Sequence, residues 1–261
     1  MISSEEKRIK IIKEADNSKP FLVIWKPRGL PSAPLSADDK ENALSQAISL
    51  FPQIKNVCGK KEIEYGLLHR LDTATEGLMV IAVNQDCYNF LSEEQAAGRF
   101  VKYYTAHCDI ISDNANLLGA FPKEPKINKF LKNQEKTLIL ESYFRFFGQG
   151  RKEVRPVTQN DGKAALSKVG HKKFYRTTIT ILEKNSEKAK VECKITEGFR
   201  HQVRCHLAWA GLPVEGDYLY NSRTKKLLNK SDTKLLFSAT KLSFNYPVNI
   251  KNVYEYTPES K

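Results

Sequence analysis

Apolar residues along this chain fall into short blocks with two periods. The continuous runs Phe21–Trp25 and Leu78–Val83 have the length and β-branched content of buried strands. Phe100–Ala106 has strand composition, and strand character returns at Thr137–Phe144. Tyr175–Leu182 and Lys188–Ile195 alternate polar and apolar around Asn185-Ser186, which predicts a hairpin. Helical spacing appears in three places. Ala43, Leu44, Ala47, Ile48 and Phe51 share one face, with Asp38 or Asp39 as cap and Pro52 as stop. Asp86–Ala97 is closed by Gly98, and a stripe of Val203, Leu207 and Ala210 is ended by Gly211. Ser3-x-x-Glu6 followed by Ile9, Ile11 and Ile12 predicts a short capped helix at the start. Between about residues 114 and 173 the pattern is weakest, in a Lys-rich stretch broken by prolines and glycines.

One polar run interrupts this scheme where burial is expected. His69-Arg70-Leu71-Asp72-Thr73-Ala74-Thr75-Glu76-Gly77 lies between apolar blocks, so Asp72 occupies a short irregular turn at the edge of a β core. Thr73-x-x-Glu76 also fits a capping box, with Asp72 as an alternative cap and Gly77 as terminator. A cap needs no adjacent arginine, and turns on rigid scaffolds are where catalytic side chains concentrate. A second anomaly follows Gly198. Arg200, His201 and Arg204 crowd the first turns of the third helix, where the helix dipole disfavours cations by about 0.3–1 kcal/mol each. An anion close by offsets that cost, either Asp72 or a phosphate.

Charge narrows the partner. Forty-two Lys and Arg against 30 Asp and Glu give +12, which favours a polyanion such as nucleic acid. Phe146-Phe147-Gly148-Gln149-Gly150-Arg151-Lys152 interleaves aromatics with cations, as stacking on bases and neutralising phosphates requires. Five scattered cysteines with no Cys-x-x-Cys pair read as free thiols of a reducing compartment. No signal-peptide core or bilayer-length apolar run is present, so a cytoplasmic location is expected, with no membrane partner. Phosphate-binding glycine loops and His-Glu-x-x-His are absent, and His201 and His206, five apart, align poorly on one helical face. No metal or cofactor is therefore expected. His171 reads as a surface histidine.

His-Arg-Leu-Asp-x-x-Thr followed by Gly-Leu and an apolar strand resembles the central motif of the RluA-type family of RNA pseudouridine synthases. Four further segments are similar to that family in its order: the Lys26-Pro27-Arg28-Gly29-Leu30 turn, Lys102-Tyr103-Tyr104, Gly198-Phe199-Arg200-His201-Gln202-Val203-Arg204, and Gly211-Leu212-Pro213 through Gly216-Asp217 to Tyr220. A weaker likeness at Leu236-Phe237-Ser238-Ala239 has serine where the family has histidine. The resemblance implies an α+β pseudouridine synthase fold: a central, largely antiparallel mixed sheet flanked by helices, with an RNA cleft between two halves. It also implies one catalytic domain over residues 1–261, with a basic insertion at about 114–173 and no room for an S4-type domain before residue 20. Asp72 is implied as the catalytic residue, nucleophile or general base. Arg70, Tyr104, Arg204 and His201 are implied as substrate contacts, Tyr104 stacking on the base and Arg204 pairing with Asp72. Lys26, Arg28, Lys102, Arg200, Arg151 and Lys152 are expected to contact RNA. The expected partner is ribosomal RNA of the large subunit or, next, tRNA, with no cofactor and no protein partner, the chain acting as a monomer. The rival expectation is a non-catalytic RNA-binding or ribosome-assembly module. Glu76 stands where a serine is usual and Phe199 where the family often has arginine, so both departures bear on which RNA is recognised.

Overall fold

A computed structural model describes residues 7–111, 118–122, 130, 135–170, 173–227, 233–247 and 249–258. His171 and part of the basic insertion lie outside these residues. The chain divides into two compact units, Met1–Tyr103 with Ser238–Lys261, and Tyr104–Phe237. Among the described residues there are ten strands, joined by antiparallel pairings and by a short parallel contact, which makes the class α+β with a mixed sheet.

In the first unit, β1 (Lys10–Lys13) pairs with β2 (Phe21–Lys26), which pairs with β3 (Glu76–Ala82). The expected N-terminal helix is not what residues 10–13 form. Ile11 pairs opposite Ile24 at a sheet edge, where β-branched residues pack without loss of side-chain freedom. Helix α1 (Ala43–Leu50) is capped by Asn42, whose side chain accepts from the Ser45 amide, rather than by Asp38 or Asp39. Asp39 instead accepts from the amides of Leu35 and Glu41. Helix α2 (Gln85–Ala96) begins at Asn84, and Gly98 follows it with φ of 72°. Strand β4 (Val101–Asp109) crosses the boundary between the units. Phe21, Val23, Leu78, Val80, Leu91 and Phe100 form the core of the first unit with Leu242 and Phe244.

The second unit is built on β5 (Thr137–Phe147), β6 (Glu153–Val157), β7 (Tyr175–Lys184) and β8 (Lys188–Ile195), with β5 pairing both β6 and β7, and β7 pairing β8. A short helix α3 (Lys163–Leu166) follows β6, and α4 (Gln202–Trp209) and α5 (Ser222–Leu227) follow β8. Strands β9 (Phe237–Asn245) and β10 (Lys251–Glu255) close the chain. In the first unit Ser238 and Ala239 of β9 lie parallel to Glu76 and Gly77 of β3. A Cβ on Gly77 would lie 2.5 Å from the Ala239 nitrogen, so this close approach requires glycine.

The second unit buries a histidine among hydroxyl groups. His206 is fully buried between Ser142, 2.9 Å from Nε2, and Thr177, 2.8 Å from Nδ1. Burial pushes its pKa from 6.5 down to about 3. Between those values the unfolded chain holds a proton on His206 that the folded chain lacks. The stability His206 contributes is therefore present above about pH 6.5 and lost as pH falls toward 3. The urea midpoint of the wild type should thus fall more steeply from pH 6.5 to pH 4 than that of His206→Gln. Parallel profiles would assign the acid sensitivity to other groups.

Candidate active site

Lys26 and Gly77 are paired across β2 and β3, so the turns at 27–30 and 72–75 leave the sheet side by side. The Gly29 amide, in the left-handed region at φ of 80°, donates to the Thr73 carbonyl at 2.8 Å. On the other side of Asp72, Ser32 Oγ donates to the Leu71 carbonyl at 2.7 Å and lies 2.9 Å from the Leu71 amide. The Thr75 amide then closes the turn on the Asp72 carbonyl at 2.9 Å. These bonds hold the backbone on both flanks of Asp72 while its side chain is half-buried. The turn carries no helix, so the capping-box reading of Thr73 and Glu76 does not apply.

Lys26 faces inward. Its ammonium is fully buried and donates to the carbonyls of Leu30 at 2.7 Å, Pro27 at 3.0 Å and Thr73 at 3.5 Å. Burial lowers its pKa to about 7 against the raising influence of Asp72 and Glu76. Expected to meet RNA phosphates, Lys26 instead stitches the two turns together, because a buried ammonium must spend its donors on nearby acceptors. Arg28 is likewise turned in, its Nη2 donating to Glu76 Oε1 at 2.9 Å, and Ser238 Oγ donates to the same oxygen at 3.0 Å. Two of the three departures from the family pattern, Glu76 and Ser238, thus touch each other. Lys102 is also buried rather than presented to solvent, and its charge joins burial in holding the His69 pKa down. The His69 ring accepts from the Val80 amide at 3.3 Å and sets its edge against Phe100. Arg70 is exposed and donates to Glu64 at 3.1 Å, available at the surface beside Asp72.

In the second unit His201 takes a left-handed conformation, φ of 55°, and opens α4. Every residue of α4 is buried. Gln202 closes the entry by accepting from the Phe199 amide and donating to the Arg176 carbonyl and Thr177. Arg204 makes a two-pronged ion pair with Asp217, Nε to Oδ2 at 2.7 Å and Nη2 to Oδ1 at 2.8 Å. Asp217 is therefore an anion that faces Arg204, one the sequence alone, which points to Asp72 or phosphate, does not name. Asp217 Oδ1 also accepts from the Leu219 and Tyr220 amides. The Tyr220 hydroxyl accepts from the Val154 amide and shares a hydrogen bond of 3.0 Å with His201 Nδ1. Tyr104 is buried and stacked on Phe237, centroids 5.0 Å apart and planes 7° from parallel. Phe199 stacks on Phe144 at 5.1 Å and packs against Tyr175 and Phe146. Arg151, Lys152 and Arg200, expected as RNA contacts, are all exposed and converge, for Arg200 donates to the carbonyls of Arg151 and Lys152 at 3.3 Å.

Ser32, Glu64, Asp217 and Phe237 entered no sequence expectation as functional residues. Only Asp217, inside a recognised Gly-Asp segment, carried a signal. Among the described residues no group of three His, Cys, Asp or Glu is placed to hold a metal, the five cysteines are free thiols, and no helix is long and apolar enough to cross a membrane.

Residues 20–209 match the family of RNA pseudouridylate synthases. An uncharacterized RNA pseudouridine synthase of Mycoplasma pneumoniae is 26% identical over 87% of this chain and 60% of its own length. Ribosomal large subunit pseudouridine synthase D of Neisseria meningitidis is 24% identical over 87% of this chain and 52% of its own length. The mitochondrial tRNA pseudouridine(32) synthase of Saccharomyces cerevisiae is 26% identical over 82% of this chain and 37% of its own length. The chain thus spans 37% to 60% of the length of these relatives. In fold it is similar to human RNA pseudouridylate synthase domain containing 1, with a TM-score of 0.62 at 20% identity, covering 99% of this chain and 86% of that one.

Proposed function

Because the chain belongs to the RNA pseudouridylate synthase family, we propose that it isomerises specific uridines of structured RNA to pseudouridine, with Asp72 as the catalytic group. The observation that carries this is the turn itself: a half-buried aspartate whose flanking backbone is pinned by Ser32, Gly29, Lys26 and the Thr75 amide. Such pre-organisation is what a group acting on one atom of a bound nucleotide requires.

The reaction breaks the bond from C1′ to N1 and makes one from C1′ to C5. N1 gains a proton and C5 loses one, so no net oxidant, reductant or energy source enters. Asp72 acts on the nucleotide as nucleophile or as general base. The target base must leave its stack at a cost of a few kcal/mol. Arg70, exposed beside the turn, is suited to the vacated space. Tyr104 is assigned to stacking on the uracil, and Arg204 and His201 to the nucleotide, on family resemblance. Phosphate contacts from the +12 chain offset the cost of flipping, so binding should weaken steeply with salt. Large-subunit ribosomal RNA is the first substrate proposed and tRNA the second, since relatives named for each are similar over most of this chain. The test is to incubate the protein with unmodified transcripts of both and map pseudouridine. Product in one identifies the class; salt-sensitive binding without product in either supports a non-catalytic RNA-binding module instead.

A further inference from the structure

The turn between β5 and β6 is a built surface. Gly148, Gly150 and Arg151 all take positive φ, and the Arg151 amide donates back to the Gly148 carbonyl at 3.1 Å. The tip is tied down from outside the hairpin by Arg200, whose two terminal nitrogens meet the carbonyls of Arg151 and Lys152. Arg200 immediately precedes His201 and α4, so the tip is held in register with the segment that carries Arg204. Beneath it, buried Arg155 lies 4.2 Å from the Phe147 ring and 4.9 Å from Phe121, and its charge is met by Glu153 at 2.8 Å. The Arg151 guanidinium lies 4.6 Å over the Phe146 ring. Arg151 and Lys152 are exposed, and among the described residues neither is ion-paired.

A guanidinium held against an aromatic ring on an exposed tip is a planar cation that can stack on a further flat group. Such planes take up nucleobases by stacking, and only an unpaired base has a face to offer, since in a duplex each face is covered by the next pair. Charge alone would suit a duplex equally well. We propose that the β5–β6 tip binds an unpaired nucleotide of the RNA substrate, its base stacked on Arg151 and its phosphate met by Lys152. This rests on the RNA-modifying reading above and adds that the substrate presents a looped or single-stranded nucleotide to the second unit.

The test uses the full chain with a short single-stranded RNA carrying a fluorescent adenine analogue and a duplex of equal length. Wild type should prefer the single strand and quench the analogue. Arg151→Lys keeps the charge and loses the plane, so it should lose the quenching and about tenfold in single-strand affinity, the cost of one stacked base. Lys152→Ala should weaken both RNAs alike and lower the slope of log affinity against log salt by about one. Wild-type affinity and quenching in Arg151→Lys would overturn the proposal, as would equal binding of both RNAs or no binding of the single strand. Thermal midpoints of these surface variants report that the fold is kept. Pseudouridine mapping with wild type on whole transcripts is read separately. Product there with an insensitive Arg151→Lys sinks only the stacking surface, whereas sensitive binding without product sinks only the enzymatic reading.

Discussion

Asp72→Asn should form no detectable pseudouridine, a loss of about 10⁴-fold or more in single-turnover rate, while its RNA affinity stays within about threefold of wild type. The substitution is isosteric and removes only the negative charge and basicity of the side chain. The turn should survive it, because the bonds that pin its two flanks fall on backbone atoms that the substitution leaves in place: the Leu71 carbonyl and amide on Ser32, the Thr73 carbonyl on Gly29 and Lys26, and the Asp72 carbonyl on the Thr75 amide. Loss of product with retained binding and a near wild-type melting temperature places the defect in chemistry. Product at a comparable rate would remove Asp72 from the reaction, whatever the fold.

The largest effect on stability is expected at Asp217. Its carboxylate is fully buried, faces a guanidinium only 5% exposed, and accepts two backbone amides besides. Asp217→Ala leaves two guanidinium nitrogens of Arg204 and two amides without that acceptor. Breaking one side of a buried pair costs about 3–5 kcal/mol, and at about 2–4 °C per kcal/mol in a chain of this size the melting temperature should drop by about 10 °C. The pair is not irreplaceable for folding, since apolar substitutes of similar volume are often neutral. Arg204→Met with Asp217→Leu should therefore recover part of the lost stability, the share owed to the stranded guanidinium, while the Leu219 and Tyr220 amides still lack their acceptor. If Arg204 serves the nucleotide as well as the fold, the double variant will be folded and inactive. If it recovers both stability and activity, Arg204 is structural only. Calorimetry and pseudouridine mapping on the same preparations separate the two.

Much of this molecule is legible along the chain because periodicity is a local property. The runs at Phe21–Trp25 and Leu78–Val83, the alternating hairpin around Asn185, and the helices before Pro52, Gly98 and Gly211 are specified by residues within one turn or one strand of each other. The position of Asp72 was legible for the same reason, as a charged interruption between two buried blocks. So was the electrostatic tension at the start of α4, since two arginines and a histidine crowded there call for an anion wherever the chain goes.

Which anion answers that demand is a tertiary matter. Asp217 lies thirteen residues beyond Arg204, past a turn, and only folding places its two oxygens on the guanidinium. The sequence likewise marks Lys26, Arg28 and Lys102 as positive without saying which way they point. Packing buries Lys26 and Lys102 and half-buries Arg28, and the cost of stripping water from a charge then sends Lys26 to three carbonyls and Arg28 to Glu76. Glu76 meets Ser238 across 162 residues, and Phe199 becomes a core ring because Phe144 is there to receive it. Local pattern determined most of the elements and the place of the Asp72 turn. The partners of its charges were decided by desolvation among segments far apart in the chain, which no window of sequence contains.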